Sequence, residues 1–213
     1  MNRNTISLIL CLASAVCALT ACGSAKNGSS DAGTSSVAAE TTPSKAFSVT
    51  DCHVMQPPEE GWTAEELMSV TYLYGRQLEY PLTLGSLDGS IELKNIEPNI
   101  AGNVHATLCH GDQTVGNAVF HVKTVEEVDK DTPIDQFLFM GDNNTPDSLV
   151  INGKSIDTEF KDMQSCLGKE VKTDNSSEQA IFYKTKGDSF TIKALNSSGM
   201  FSALSVYGLC PIQ

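Results

Sequence analysis

Residues 179–184 (QAIFYK), 189–195 (SFTIKAL) and 200–207 (MFSALSVY) are three short apolar-rich runs carrying β-branched and aromatic side chains. Lys186-Gly187-Asp188 and Asn196-Ser197-Ser198-Gly199 separate them with turn residues. Such runs with such spacers predict an antiparallel three-strand meander. Just upstream, Leu149-Val150-Ile151 and Ser155-Ile156 flank Asn152-Gly153. That dipeptide is the strongest short hairpin signal, because a tight hairpin turn needs positive φ at both central residues. Between hairpin and meander, Phe160, Met163 and Leu167 recur at i, i+3 and i+7. This predicts a helix over 158–167, capped by Asp157 or Thr158 and closed by Gly168. The second half therefore reads hairpin, helix, meander.

The first half repeats this plan loosely. Residues 70–74 (VTYLY) run into Gly75-Arg76 and then Gln77-Leu78-Glu79-Tyr80. Gly75, Leu78 and Leu82 have the spacing of Gly153, Ile156 and Phe160. Strands are predicted at 90–94, 104–110 and 116–123, with a turn at 111–114. Thr63-Ala64-Glu65-Glu66 is a capping box and starts a brief helix before the strand at 70–74. The fold class expected is α+β, predominantly antiparallel β. It consists of two tandem hairpin-helix-β-meander modules, 47–140 and 141–213, packed as one globular unit.

The N-terminus reads differently. Residues 1–21 hold one base, Arg3, and no acid, around an apolar run from Ile6 to Leu19. That run is too short to span ~30 Å of hydrocarbon comfortably, and with small residues behind it describes a signal peptide. Leu19-Thr20-Ala21-Cys22 resembles the lipobox of bacterial lipoproteins. The resemblance implies a diacylglycerol on the Cys22 sulfur, and two acyl chains anchor stably where one does not. Residues 23–46 are mostly Gly, Ser, Ala and Thr without an aromatic residue. They read, with Cys22, as a disordered tether, since they bury too little apolar area to offset their ordering entropy.

From Phe47 onward about 165 residues remain, enough for one domain or two small packed modules. The chain carries 14 Lys and Arg against 26 Asp and Glu, a net charge of −12. Such a balance argues against nucleic acid and against adsorption to anionic lipid. Glu126, Glu127, Asp129, Asp131, Asp135, Asp142 and Asp147 face only Lys130, and this run reads as a solvated connecting loop. Asp142-Asn143-Asn144-Thr145-Pro146-Asp147 lacks the glycine and distal glutamate of an EF-hand.

Four cysteines lie beyond the tether: Cys52, Cys109, Cys166 and Cys210. An even count outside the cell suggests disulfides, in any of three pairings, with buried free thiols as the alternative. No H-E-x-x-H, G-x-S-x-G or Walker loop is present, so no catalytic residue, metal site or cofactor is predicted. His105 and His121 would face one another only across a hairpin with a three-residue turn at 112–114. Five aromatics, Trp62, Tyr72, Tyr74, Tyr80 and Tyr183, could form an exposed binding face, with burial on core strands the better reading for most of them. Trp62, Tyr72 and Tyr74 are candidates for an exposed binding face, Trp62 foremost, because it follows Pro57-Pro58-Glu59-Glu60-Gly61 in loop context.

Val150 to Ile156, Phe160, Met163, Leu167-Gly168 and Ile181-Phe182-Tyr183 resemble a recurrent module of Firmicute-type lipoproteins. That module is similar to the β-lactamase-inhibitor-like and small outer-membrane lipoprotein (SmpA/OmlA) folds. Leu78 to Leu82 with Leu87 resembles the upstream half of such proteins. The resemblance implies packing and turn residues but transfers no catalytic residue. It implies a role in binding other proteins or in envelope assembly. The functional expectation is a lipid-anchored, exported, non-enzymatic module that binds a protein, peptide or glycan. The alternatives are a cell-envelope hydrolase or a structural envelope lipoprotein.

Overall fold

The computed structural model describes residues 47–87, 89–142, 145–156, 158–174 and 180–210. The expected leader, Cys22 and the expected tether lie outside them, as do Asp157, Asn143 and Asn144. The described residues fall within one compact unit, Lys45–Gln213.

The chain enters through helix α1, Ala64–Ser69. Thr63 Oγ1 accepts the Glu66 N–H at 3.2 Å, and the Glu66 carboxylate accepts the Thr63 N–H at 2.9 Å. This is the predicted capping box. Leu67 and Met68 turn inward and are buried. Strands β1 (Thr71–Leu73) and β2 (Arg76–Gln77) form a hairpin around Tyr74-Gly75. Both turn residues take positive φ, 49° and 79°. Strands β3 (Ile91–Pro98), β4 (Val104–His110), β5 (Gln113–Phe120) and β6 (Ile134–Met140) follow.

The second half opens with β7 (Leu149–Ile151) and β8 (Lys154–Ser155) around Asn152-Gly153, again with positive φ at both. A 3-10 turn, Phe160–Asp162, leads into α2, Met163–Leu167. The predicted helix is thus half 3-10, and Gly168 ends it at φ 83°. Strands β9 (Glu170–Asp174), β10 (Ala180–Tyr183), β11 (Thr191–Ser197) and β12 (Met200–Tyr207) complete the chain. The last three are the predicted meander.

These strands make two antiparallel sheets, ordered β2-β1-β7-β8 and β3-β4-β5-β6-β12-β11-β10-β9. Strand pairing joins the two halves of the chain in both sheets. In the small sheet β1 pairs with β7, and in the large sheet β6 pairs with β12. Phe120, Phe137, Phe139, Leu204 and Val206 line the middle of the core beneath the large sheet.

Two strands escape the sequence reading. Strand β6 runs through the segment expected to be a solvated loop. Ile134, Phe137 and Phe139 are buried there, so acid-rich flanks hid a core strand. Strand β9 joins the far edge, because sheet extension needs only an exposed backbone edge and not a strong apolar pattern.

Candidate functional site

The ladder between β5 and β6 breaks at one place. Val119 pairs with Gln136 and Phe120 with Ile134, leaving Asp135 as an extra residue in a β-bulge. A bulge re-aims the side chain it carries. Asp135 is 2% exposed, yet fully engaged. Its Oδ1 accepts the Cys210 N–H at 2.9 Å, and its main-chain oxygen accepts the Leu209 N–H at 3.0 Å. Its Oδ2 lies 3.0 Å from His121 Nε2. An ionised carboxylate only accepts, so Nε2 carries the hydrogen, and a neutral His121 leaves Nδ1 as an acceptor.

This arrangement forms part of the wall of an open cleft of about 490 Å³. Tyr80, Pro81 and Leu82 form one side, and the segment from Thr132 to Ile134 another. His121, Val122, Leu209 and Cys210 complete it. The lining is mainly apolar, in the size range of ligand clefts, ~300–1,000 Å³. The Tyr80–Pro81 peptide is cis, and the Tyr80 hydroxyl donates to the Leu209 oxygen at 3.1 Å. That bond fixes a half-exposed aromatic ring at the rim. Ile134 N–H to Leu82 O, 2.7 Å, joins the two sides below.

Cys210 and His121 thus border one cleft, with Asp135 buried behind them. The thiol of Cys210 is nevertheless pushed up from its ordinary range, first by burial and then by the Asp135 carboxylate. A nucleophilic cysteine needs the opposite shift, towards thiolate, from a nearby cation or helix N-terminus. The arrangement suits binding: apolar walls, one fixed aromatic ring and an imidazole held by a buried carboxylate.

The residues singled out from sequence lie elsewhere. Trp62 is buried, 1% exposed, which corrects the expectation of a surface anchor. Its backbone bonds Lys184 O and Lys186 N–H, and its indole N–H donates to Leu167 O at 2.8 Å. A loop beneath a domain edge can bury its aromatic when the ring finds both apolar contact and a hydrogen-bond partner. Tyr72 is also buried, correcting its place on an exposed face. Its hydroxyl accepts the His53 N–H at 2.8 Å. Tyr74 is half-buried and stacks on His110, with centroids 4.0 Å apart and planes 17° from parallel. Its hydroxyl is pushed up by burial and then by Asp142. Tyr183 is core, as expected.

All four described cysteines are free: Cys109 and Cys166 buried, Cys52 and Cys210 half-buried. Burial pushes Cys52 up to about 11 and Cys166 up to about 12. His105 does not meet His121. The hairpin turn is Gly111-Asp112 and a bulge follows Leu108, so His105 lies opposite Val119 and pairs with Glu97 at 3.2 Å. Among the described residues no group of three or more His, Cys, Asp or Glu could hold a metal ion. Nor is any described helix long and apolar enough to cross a membrane. Asp135 and Asp142 are buried, which corrects the solvated-loop reading for those two acids.

His121, Asp135 and Cys210 had no joint signal in the sequence. Their chain separations follow no motif, and only the bulge and the docking of the last strand assemble them. No protein-family model matches the chain, and no curated protein or solved structure is significantly similar to it.

Proposed function

We propose that this chain is a lipid-anchored, exported binding protein, without catalytic activity, that presents the Tyr80–His121–Cys210 cleft to its ligand. The single observation that carries the binding reading is the cleft itself: open, mainly apolar, and braced by the buried Asp135. The raised Cys210 thiol weighs against the envelope-hydrolase alternative. Leu19-Thr20-Ala21-Cys22, behind a short apolar run, supports the anchor. The same reading takes the domain as two tandem modules. Tyr74-Gly75 and Asn152-Gly153 support it, since both turns share positive φ. So do two reciprocal bonds of equal length, Tyr74 N–H to Ser148 O and Asn152 N–H to Val70 O, each 2.7 Å.

The anchor is tested by detergent-phase partition and intact mass. Wild-type protein enters the detergent phase and carries the added mass of acyl chains. Cys22→Ala protein stays in the aqueous phase. An unmodified mature wild-type mass would end the anchor reading. The cleft is tested by two-dimensional NMR against a peptide library. Binders shift resonances of Tyr80, Val122 and Leu209; shifts confined to other surfaces would end the cleft reading.

A further inference from the structure

The segment that leads into the Thr132 side of this cleft, 126–131, is acidic and largely exposed. Thr132 lines the cleft, and its Oγ1 donates to Asp129 Oδ1 at 2.8 Å. Asp129 Oδ1 also accepts the Asp131 N–H at 2.9 Å. These bonds, the Thr132 hydroxyl first, hold the Asp129 carboxyl below its usual range. A fixed anion therefore stands one side chain away from the apolar lining. Glu126, Glu127 and Asp131 are exposed on the same short segment. The cations there are Lys123 and Lys130, and Lys130 is already paired with Asp131. The segment keeps an excess of negative charge beside an apolar groove.

We infer that the occupant of the cleft is a cationic, apolar peptide segment, with Lys or Arg alternating with aliphatic or aromatic residues. The inference rests on the cleft being the binding site. An apolar side chain would enter between Pro81 and Pro133, against the Tyr80 ring. The flanking cations would meet Asp129 and its neighbours. The groove selects the apolar groups by area and the acidic segment selects the charge. Complementary charge at a rim acts mainly on association rate and selectivity, and is screened by salt.

The test uses the full mature chain and three blocked hexapeptides with the same apolar residues: Lys-Leu-Lys-Phe-Lys-Leu, its Gln analogue and its Glu analogue. Titration calorimetry at low salt is expected to give the Lys peptide at least tenfold tighter binding than the Gln peptide. The Glu peptide is expected to be weaker still. Glu126→Gln/Glu127→Gln/Asp131→Asn should weaken the Lys peptide about threefold to tenfold and leave the Gln peptide unchanged. Val122→Trp, folded by circular dichroism, should weaken both by plugging the groove. Equal binding of Lys and Gln peptides overturns the cationic class but leaves the cleft as a binding site. No binding by any peptide overturns both readings. Lys-peptide binding that survives Val122→Trp undiminished marks a non-specific surface effect and overturns the inference.

Discussion

The indole N–H of Trp62 donates to the main-chain oxygen of Leu167 at 2.8 Å, tying the segment before α1 to the last residue of α2, over a hundred positions away. The same Trp62 backbone brackets the end of β10 through Lys184 and Lys186. A residue from a Pro-Gly loop thus staples three distant pieces of chain. Trp62→Ala removes both the buried ring and the bond, and the expected loss is ~3–5 kcal/mol of stability. Trp62→Phe keeps most of the apolar area but orphans the Leu167 carbonyl, for a smaller loss of about 1–3 kcal/mol. Urea denaturation checks both, and a Trp62→Phe variant as stable as wild type would refute the hydrogen-bond role.

Asn152 does more than shape its turn. Its side chain accepts the Met55 N–H at 2.9 Å and donates to Met55 O at 2.9 Å and Cys166 O at 2.7 Å. It also holds φ 46°, where β-branched and bulky residues are strained. Asn152→Ala should cost about 2–4 kcal/mol, since it leaves buried main-chain groups unpaired. Asn152→Gly relieves the backbone strain but restores none of the bonds. It should therefore recover only part of the loss in a thermal melt.

Gly116 sits on β5 opposite Phe139 of β6. A Cβ placed there would stand 2.1 Å from the Leu138 carbonyl oxygen, a main-chain atom that cannot rotate aside. The backbone φ there is ordinary, so the steric contact alone is probed. Gly116→Ala should destabilise by more than about 3 kcal/mol, at the severe end for single substitutions. Gly102→Ala places its Cβ in open space, although its positive φ brings some strain. It should cost far less in the same denaturant titration.

The buried thiols set an alkaline limit. Cys166 is pushed up to about 12 by burial, and the Tyr183 hydroxyl is raised by burial and by Cys166. A raised folded-state value means that the native state holds its proton more tightly than the unfolded chain. The stabilisation is therefore complete below about pH 9 and is lost as pH climbs towards 12. The slope per thiol is at most ~1.4 kcal/mol per pH unit. Denaturation midpoints at pH 8, 10 and 11 should fall for wild type and fall less steeply for Cys166→Ala. At pH 7.5 iodoacetamide should alkylate Cys166 only after unfolding.

Asp135→Ala should release the C-terminal segment from β6. It removes the acceptor of Cys210 N–H and the partner of His121 at once. The expected loss is about 2–3 kcal/mol, as for a hydrogen bond to a charged acceptor. Faster amide exchange at Leu209 and Cys210 than at β11 would show that the loss is local.

Local physics made much of the fold legible. Asn152-Gly153 specifies a tight turn by itself, Thr63 with Glu66 caps a helix by itself, and the β10–β12 runs carry their own turn residues. Each signal acts over a few residues, where backbone sterics and near-neighbour hydrogen bonds decide the outcome. The strand β6 was illegible because its flanks, Asp129 to Pro133 and Gly141-Asp142, resemble solvent-exposed chain. Only pairing with both β5 and β12 draws Phe137 and Phe139 under the sheet.

The sequence by itself determined the antiparallel β character, the two hairpins and the acidic balance. The tertiary structure alone decided that Trp62 is core and that Asp135 bulges inward. It also decided that His121 and Cys210 share a cleft with Tyr80. The reason is range. Turns and caps are stabilised by atoms a few bonds away, whereas burial and site geometry depend on strands remote in the chain that no local pattern names.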